Sequence, residues 1–334
     1  MHKVAVIPGD GVGPEVTEAT LHVLKNLSLD LEFTTFDLGF EYWKKSGKQL
    51  SDEDVAAIGK TDACLKGPTT TPLGSGTFRS VAVALRQKLD LYANVRPVKS
   101  RPSVKGLYSN IDLIIVRENT EGMYKGLEFR ANDSALSVRV ITRQGSNRIA
   151  RFAFELARRQ KRRKVTIVHK ANVLKETCGL FRETCLSVAT QYPEVKVDEL
   201  IIDAAALKLV MEPQKLDVIL TTNLFGDILS DEASGLVGGL GLIPSANIGE
   251  HFALFEPVHG SAPQISGKGI ANPSAMILSA AMMLRYLDMP EHALRLENAI
   301  DKVLEEGTAL TFDLGGDAGT MDMADAIATQ LSKL

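Results

Sequence analysis

Val218-Ile-Leu-Thr-Thr-Asn-Leu-Phe-Gly-Asp-Ile-Leu-Ser-Asp231 is the stretch on which the reading of this chain turns. Val218-Ile-Leu220 is an apolar run that reads as a buried strand, and a helix is expected to begin after Gly226. On that helix Asp227 and Asp231 stand at i and i+4, on one face. Two carboxylates so placed repel each other unless a cation lies between them. Oxygen ligands suit a hard divalent ion such as Mg2+ or Mn2+. The plainer alternative is an acidic first turn that complements the helix dipole.

Two runs upstream repeat the design. Val165-Thr-Ile-Val168 reads as a strand that delivers His169 and Lys170, and Leu200-Ile-Ile202 delivers Asp203. Ligands collect at the carboxyl ends of strands in open α/β sheets, so Lys170, Asp203, Asp227 and Asp231 form one candidate site. A lysine at a strand end in a cleft can act as a base. The run Arg158-Arg-Gln-Lys-Arg-Arg-Lys164 closes the helix before the first of these strands. Cations at a helix C-terminus complement its dipole, a plainer account than a nucleic-acid patch. That helix is expected to start near Ser146 as N-cap, with Ile149, Phe152, Ala153 and Leu156 inward.

Further out, Val4-Ala-Val-Ile7 runs into Pro8-Gly-Asp-Gly-Val-Gly-Pro14, a strand, a glycine turn and a helix start. The spacing is GxGxG, which excludes the dinucleotide fingerprint GxGxxG and leaves a tight turn near a cleft. A helix to about Leu27 and a strand at Leu31–Phe36 follow. After them come a strand at Ala63–Leu65, a loop from Lys66 to Pro72, a segment Gly74–Ser80 and a helix at Val81–Leu89. Arg86 lies on that helix, Arg96 in Ala93-Asn-Val-Arg-Pro97, and Arg117 at the end of the strand Asp112–Val116. Guanidinium forks match carboxylates, so the three arginines are candidates for a polycarboxylate site. Gly126–Arg143 reads as two short strands joined at Asn132-Asp-Ser134, half-buried through Leu136, Val138 and Val140. Gly235–Gly249 reads as a glycine-rich return into the first domain, and Asn272-Pro273 opens a core helix, Ser274–Tyr286.

A chain of 334 residues exceeds what one hydrophobic core usually serves, which predicts two domains. A formal net charge of −3 provides no overall basic field for nucleic acid, and no apolar run is long enough to span a bilayer. Three cysteines form neither a CxxC pair nor a disulfide framework, which fits a cytoplasmic protein. Met1-His-Lys-Val runs straight into a strand, with no signal peptide expected.

Arg117-Glu-Asn-Thr-Glu-Gly-Met-Tyr124 resembles a signature of the β-decarboxylating dehydrogenases, the isocitrate, isopropylmalate and homoisocitrate dehydrogenase family. Ile7–Glu15, Leu91–Pro97, Val168–Val173, Asn223–Asp231 and Phe255–Pro263 are similar to its other blocks, in the family's order. The resemblance implies an α/β fold of two domains with the active cleft between them. Residues 1–95 and 238–334 would form the cofactor-side domain. Residues 96–237 would form the second, with a dimerisation arm at 122–146. It implies oxidative decarboxylation of a 2-hydroxy acid carrying a β-carboxylate. By the same resemblance Asp203, Asp227 and Asp231 hold Mg2+ or Mn2+. Lys170 is the base, Tyr124 the acid, and Ser80, Arg86, Arg96 and Arg117 hold substrate. Thr70, Asn172, His259, Gly260, Ala262, Gln264, Ile265, Asn272 and Asp313 fall at the family's cofactor positions. Lys170 and Asp203 would enter from the neighbouring subunit, making a homodimer, or a higher oligomer built on it, obligatory.

Substrate choice is expected in Ser80-Val-Ala-Val-Ala-Leu-Arg86. Ser80 matches the serine with which isocitrate enzymes hold the third carboxylate. Isopropylmalate enzymes typically place an acidic and leucine-rich segment here, and this chain lacks its glutamate; the arginine that homoisocitrate enzymes often place near Val83 is also missing. Ala82 departs from the usual isocitrate asparagine and cannot donate a hydrogen bond. Isocitrate ranks first, homoisocitrate second and 3-isopropylmalate third. Gln264-Ile265 stands where NAD enzymes usually have Asp-Ile and NADP enzymes Lys-Tyr, and Phe312 and Gly316 stand downstream. With no cation for a 2′-phosphate, NAD is expected, with NADP as the weaker alternative. A non-catalytic subunit of a hetero-oligomeric dehydrogenase is the rival reading. The retention of Tyr124, Lys170 and three aspartates opposes it.

Overall fold

A computed structural model describes residues 1–48, 50–74, 78 and 80–333. Ser75, Gly76, Thr77 and Arg79, part of the Gly74–Ser80 segment, lie outside the described residues. The chain begins β1 (His2–Ile7), α1 (Gly13–Lys25), β2 (Leu31–Thr35), α2 (Phe40–Ser46), α3 (Asp52–Ile58), β3 (Ala63–Lys66) and α4 (Val81–Lys88). It continues β4 (Ala93–Lys99), β5 (Asp112–Glu118), β6 (Gly122–Ala131), β7 (Ser134–Val140), α5 (Arg143–Arg159), β8 (Lys164–His169) and α6 (Thr177–Ala189). Then come β9 (Lys196–Ile201), α7 (Ile202–Met211), β10 (Val218–Thr221), α8 (Asn223–Leu236), β11 (Pro244–Ile248) and β12 (Ala253–Pro257). Helices α9 (Ser274–Tyr286), α10 (Pro290–Glu306) and α11 (Thr320–Leu331) close the chain.

Ten strands make one mixed sheet in the order β2-β1-β3-β12-β11-β4-β5-β10-β8-β9. One wing, β2 to β12, is parallel, and so is the other, β5 to β9. They are joined by antiparallel pairing of β12 with β11, β11 with β4, and β4 with β5. Strands from residues 2–66 and 253–257 build the first wing, and those from 112–221 the second. β4 lies between them and pairs with β11 on one side and β5 on the other.

Side chains alternate across a pleated sheet, and that period sorts this molecule. On one face Val4, Val6, Leu65, Val95, Val116, Ala246 and Phe255 join a single core under α1, α5, α6, α9, α10 and α11. On the other face the apolar cover is in two pieces. One piece packs α3 and α4 over Ala5, Ile7, Cys64 and Leu254. The other packs α7 and α8 over Val98, Leu113, Ile115 and Ile219. The residues adjacent to the continuous-core set, Lys66, Asn94, Arg96, Arg117, Asn247 and Glu256, are buried and polar. By alternation they fall on the interrupted face, and that interruption is the cleft.

Several local expectations are corrected. α5 is capped by Thr142, whose side chain accepts from the Gly145 amide at 2.9 Å. Ser146 is inside the helix, buried, and its hydroxyl bonds the Thr142 carbonyl at 2.8 Å. Phe152 is only partly buried, and Phe154 takes its place in the core. The helix of the opening stretch starts at Asn223, ahead of Gly226. A Cβ on Gly226 would lie 2.7 Å from Arg117 Cβ, so glycine there serves close approach of α8 to β5 and does not break the helix. The glycine-rich return contains strand β11, because Pro244–Ile248 pairs with both β12 and β4. The arm strands β6 and β7 pair only with each other and leave Leu127, Phe129, Leu136 and Val138 exposed, where half-burial was expected.

Candidate active site

The cleft is built from the end of β10. Thr222 is extended (φ −75°, ψ 165°) and launches α8 toward β5. Asn223 opens the helix, and its side-chain oxygen accepts from Arg117 Nε at 3.0 Å and Nη2 at 2.6 Å. Its amide donates to the Glu121 carbonyl at 3.1 Å. Arg117 is fully buried, and its remaining nitrogen, Nη1, is ion-paired with Asp227 one helical turn further on. Burial pulls the Arg117 guanidinium down to about 10.

Arg96, from the neighbouring strand β4, reaches the same two aspartates. Its Nη2 is 3.2 Å from Asp227 and its Nη1 3.3 Å from Asp231, with Ser230 Oγ at 2.5 Å. The Tyr124 hydroxyl donates to the other oxygen of Asp227, and its ring lies 5.0 Å from the Arg117 guanidinium. Burial raises the Asp227 carboxyl, but Arg117 and Arg96 outweigh it and hold Asp227 below the ordinary range. Burial raises Asp231, and the charge of Asp227 adds to that. Burial, then the charge of Asp227, raises the Tyr124 phenol, so at neutral pH it keeps a proton to give.

Beside this cluster a cavity of about 110 Å³ is lined by Ser80, Ala82, Arg86, Arg96, Lys66 and His259, among others. Ser80 caps α4, accepting from the Val83 amide at 3.5 Å. Arg86 Nη2 is 2.8 Å from Glu256 Oε1, and Lys66 Nζ is 2.7 Å from Glu256 Oε2. Burial pushes Glu256 up, but its two cations prevail and leave it well below the carboxylate range. Asn247 bonds Glu256 at 2.9 Å and accepts from Asn94 at 2.9 Å and Asn119 at 3.0 Å. This polar chain crosses the middle of the sheet beside Arg86 and Arg96. Lys66, Glu256, Asn223, Asn94, Asn119 and Asn247 join this network although none is among the site residues expected from sequence. The available signal was a charge at the end of an otherwise apolar strand run, such as Ala63-Cys-Leu-Lys66 or Leu254-Phe-Glu256.

The residues fit the expected ligands. Arg86 Nε, Arg96 Nε and His259 Nε2 are buried with no partner among the described residues, donors and an acceptor suited to a polar ligand. Asp227 and Asp231 offer carboxylate oxygens from one helix face, the donor type of Mg2+ or Mn2+. The third expected ligand is elsewhere. Asp203 opens α7 and pairs with Lys170 at the end of β8. Among the described residues of one chain no group of three His, Cys, Asp or Glu gathers to hold a metal.

The expected cofactor residues divide similarly. Thr70 hydroxyl lies 2.6 Å from Ser261 Oγ, and its amide donates to Asp10 at 2.8 Å, next to the first glycine turn. That turn is packed against the 259–263 loop: Val12 N donates to Ser261 O at 2.9 Å. A Cβ on Gly11 (φ +63°) would lie 1.9 Å from that same oxygen. His259 bonds the Gly260 carbonyl at 3.0 Å, and burial pulls its imidazole below the usual histidine range. Gly260 faces open space, Ala262 is left-handed (φ +39°), Gln264 is exposed and Ile265 half-buried. Asn272 donates to Asp313 at 3.0 Å, closing the loop's far side. Asn172 is exposed on the turn after β8. β8 is five places from β12 in the sheet, roughly 24 Å at the usual strand spacing.

The cleft of a mixed α/β sheet thus gathers Arg96 and Arg117 against the carboxylate pair Asp227 and Asp231. The chain belongs to the isocitrate/isopropylmalate dehydrogenase family, which matches residues 3–327. The family's enzymes are β-decarboxylating dehydrogenases that use NAD(P) and a divalent metal. The chain is 52% identical over 331 residues to a 3-isopropylmalate dehydrogenase of Archaeoglobus fulgidus, covering 99% of this chain and 100% of that one. It is 50% identical over 335 residues to an isocitrate/homoisocitrate dehydrogenase of Thermus thermophilus, covering 100% and 99%. Among solved structures it is similar to the isocitrate dehydrogenase from Methylococcus capsulatus, with a TM-score of 0.96, 49% identity and 99% of each chain covered. No helix of the described residues is long and apolar enough to cross a membrane.

Proposed function

We propose that this protein oxidatively decarboxylates a 2-hydroxy acid bearing three carboxylates, isocitrate ahead of homoisocitrate, with NAD as the favoured nucleotide. The observation that carries this reading is the cavity where Ser80, at the N-terminus of α4, faces the buried Arg86 and Arg96. A helix N-terminus and two guanidinium groups suit an anionic third arm. Within the chain Arg96 is held by Asp227 and Asp231, and Arg117 by Asp227. Binding would exchange these partners: substrate carboxylates take the arginines, and the aspartates turn to a cation. That cation would polarise the substrate's hydroxyl oxygen as a Lewis acid. Lys170 would accept the hydroxyl proton, and Tyr124 would protonate the carbon left by CO2.

The site would be completed by a second copy. Asp203 and Lys170 pair with each other and not with Asp227 in one chain. α7 and α8 expose Leu207, Val210, Met211, Leu224 and Ile228, an apolar face suited to the same face of another chain. The arm of β6 and β7 exposes four more apolar side chains. Residues 1–95 with 238–334, and 96–237, would be the two domains. The three cysteines, all free and buried, fit the cytoplasm.

3-Isopropylmalate is the second reading. Relatives of that name share 52% identity, and Ala82 gives the cavity wall a methyl group where a donor would favour a carboxylate. Purified chain is assayed with isocitrate, homoisocitrate and 3-isopropylmalate, each with NAD and NADP and either Mg2+ or Mn2+. The highest kcat/KM on isocitrate with NAD supports the proposal, and the highest on 3-isopropylmalate overturns the substrate. No turnover by the chain alone would favour a regulatory subunit, the name of a 43% identical Dictyostelium discoideum relative.

Gln264 tests the nucleotide. It is neutral and exposed, so it can bond a ribose hydroxyl without repelling a 2′-phosphate. Gln264→Asp should lower kcat/KM for NADP about tenfold or more and leave NAD within about threefold. An unchanged ratio would remove Gln264 from the ribose.

A further inference from the structure

At the opposite edge of the second wing, a groove of about 580 Å³ lies among the starts of β5, β8, β9 and β10. Lys161, Arg162, Arg163, Lys164, Lys196 and Lys215 line it, against Asp112 and Asp217. Six cations and two carboxylates give a local formal charge of +4 in a chain whose total is −3.

The groove's pairing is incomplete. Arg162 is satisfied by Asp112 at 2.6 Å and Asp217 at 3.2 Å, and Lys164 by Asp198 at 3.1 Å. Lys215 pairs, among the described residues, with Glu212 three residues away on the exposed surface, at 2.6 Å. Asp217 is further occupied by the Arg163 and Lys164 amides, at 2.6 and 3.0 Å. Lys161, Arg163 and Lys196 have no ion pair among the described residues, and all three are exposed. Dipole complementation accounts for Arg158 and Arg159, in the last turn of α5. It does not account for Lys196 and Lys215, which come to the groove from other segments. Lys161 also holds a left-handed backbone (φ +54°), where glycine or asparagine would be less strained.

We propose that this groove binds a compact polyanion, such as a short polyphosphate, at a site separate from the active cleft. Its volume matches a small ligand more than a nucleic-acid track. Among the described residues Leu216 is its one apolar lining residue and no aromatic ring lines it, which leaves no platform there for a base. Multiple charged oxygens would pair with Lys161, Arg163 and Lys196, which have no ion pair among the described residues, and compete with Glu212 for Lys215.

The test is calorimetric titration of the purified, intact protein with inorganic tripolyphosphate at 0.15 M salt. Lys161→Glu, Arg163→Glu, Lys196→Glu and the triple variant are titrated alongside, with orthophosphate and a single-stranded oligonucleotide as comparison ligands. One saturable tripolyphosphate site per chain is expected. Each single reversal should weaken it by about fivefold or more, and the triple variant should abolish it. Turnover without polyanion should stay unchanged in every variant, which also reports that they fold. Tripolyphosphate binding that survives the triple variant would put the anion on the active-site arginines and overturn the proposal. So would the absence of saturable binding, or tighter groove binding of the oligonucleotide.

Discussion

Arg96 bridges the two aspartates of α8, while Arg86 and Lys66 share Glu256. Each arginine expected to hold substrate is therefore already held, and Glu256 sets the geometry of one of them. Glu256→Gln would leave two cations buried with half a partner, a loss of about 3–5 kcal/mol for a broken buried pair. It should raise KM through Arg86 more than it lowers kcat. The pH dependence has a definite sign. The folded-state pKa of Glu256 is depressed, so its contribution is complete above the unfolded value near 4.3 and is lost as pH falls through the lower folded value. Melting temperature should fall on acidification below about pH 4 in the parent, and less steeply in Glu256→Gln. Equal slopes would show that Glu256 does not carry the effect. Tyr124 and Lys170 separate by step. Tyr124→Phe should slow decarboxylation of a supplied oxo-acid by about 100-fold or more while Lys170→Met leaves it nearly intact. Lys170→Met should slow the oxidation by a similar factor. Identical losses in both steps would assign neither proton transfer.

Thr142, not Ser146, begins α5, and the reason is spatial. Glu121 accepts both the Thr142 amide at 2.9 Å and its hydroxyl at 2.5 Å, so the cap is tied to the segment after β5. Thr142→Ala removes the cap and one of those bonds and should cost about 1–2 kcal/mol in denaturant unfolding. Ser146→Ala should cost less, because the Ser146 hydroxyl bonds the Thr142 carbonyl, which already accepts the Ser146 amide. The reverse order would return the cap to Ser146. The capping residues alone could not decide between two hydroxyls four positions apart. The partner that decides, Glu121, is 21 residues from Thr142.

The sheet runs unbroken through both wings, yet the candidate catalytic residues of one chain fall in two groups. Arg86, Arg96, Arg117, Tyr124, Asp227 and Asp231 gather around the middle strands. Lys170 and Asp203 pair at the ends of β8 and β9. If a second copy joins them, two inactive variants should rescue each other. Asp227→Asn and Lys170→Met, mixed as unfolded chains and refolded together, would form heterodimers carrying one native site each. About a quarter of parental activity is then expected from random pairing. No recovery would place the whole site in one chain. Ile228→Asp, on the exposed apolar face, should lower activity by shifting the protein toward monomer, read by sedimentation.

The α/β class, the strands that deliver Lys170 and Asp227, and the helices from 13 and from 274 were legible because each depends on neighbours within a few residues. The β-branched run Val4–Ile7 is likewise local, whereas the folded sheet shows Arg96 and Arg117 opposite the continuous core. Tertiary structure alone decided that β11 is a strand, since its partners β4 and β12 supply the ladder bonds that Pro244-Ser-Ala-Asn-Ile248 does not advertise by composition. It alone joined Lys66 to Glu256 across 190 positions and Arg117 to Asn223 across 106. It also left Asp203 beside Lys170 and apart from Asp227. Periodicity reports which face a residue takes; which strand lies alongside is set by the burial and hydrogen bonding of segments far apart in sequence, and no local pattern encodes it.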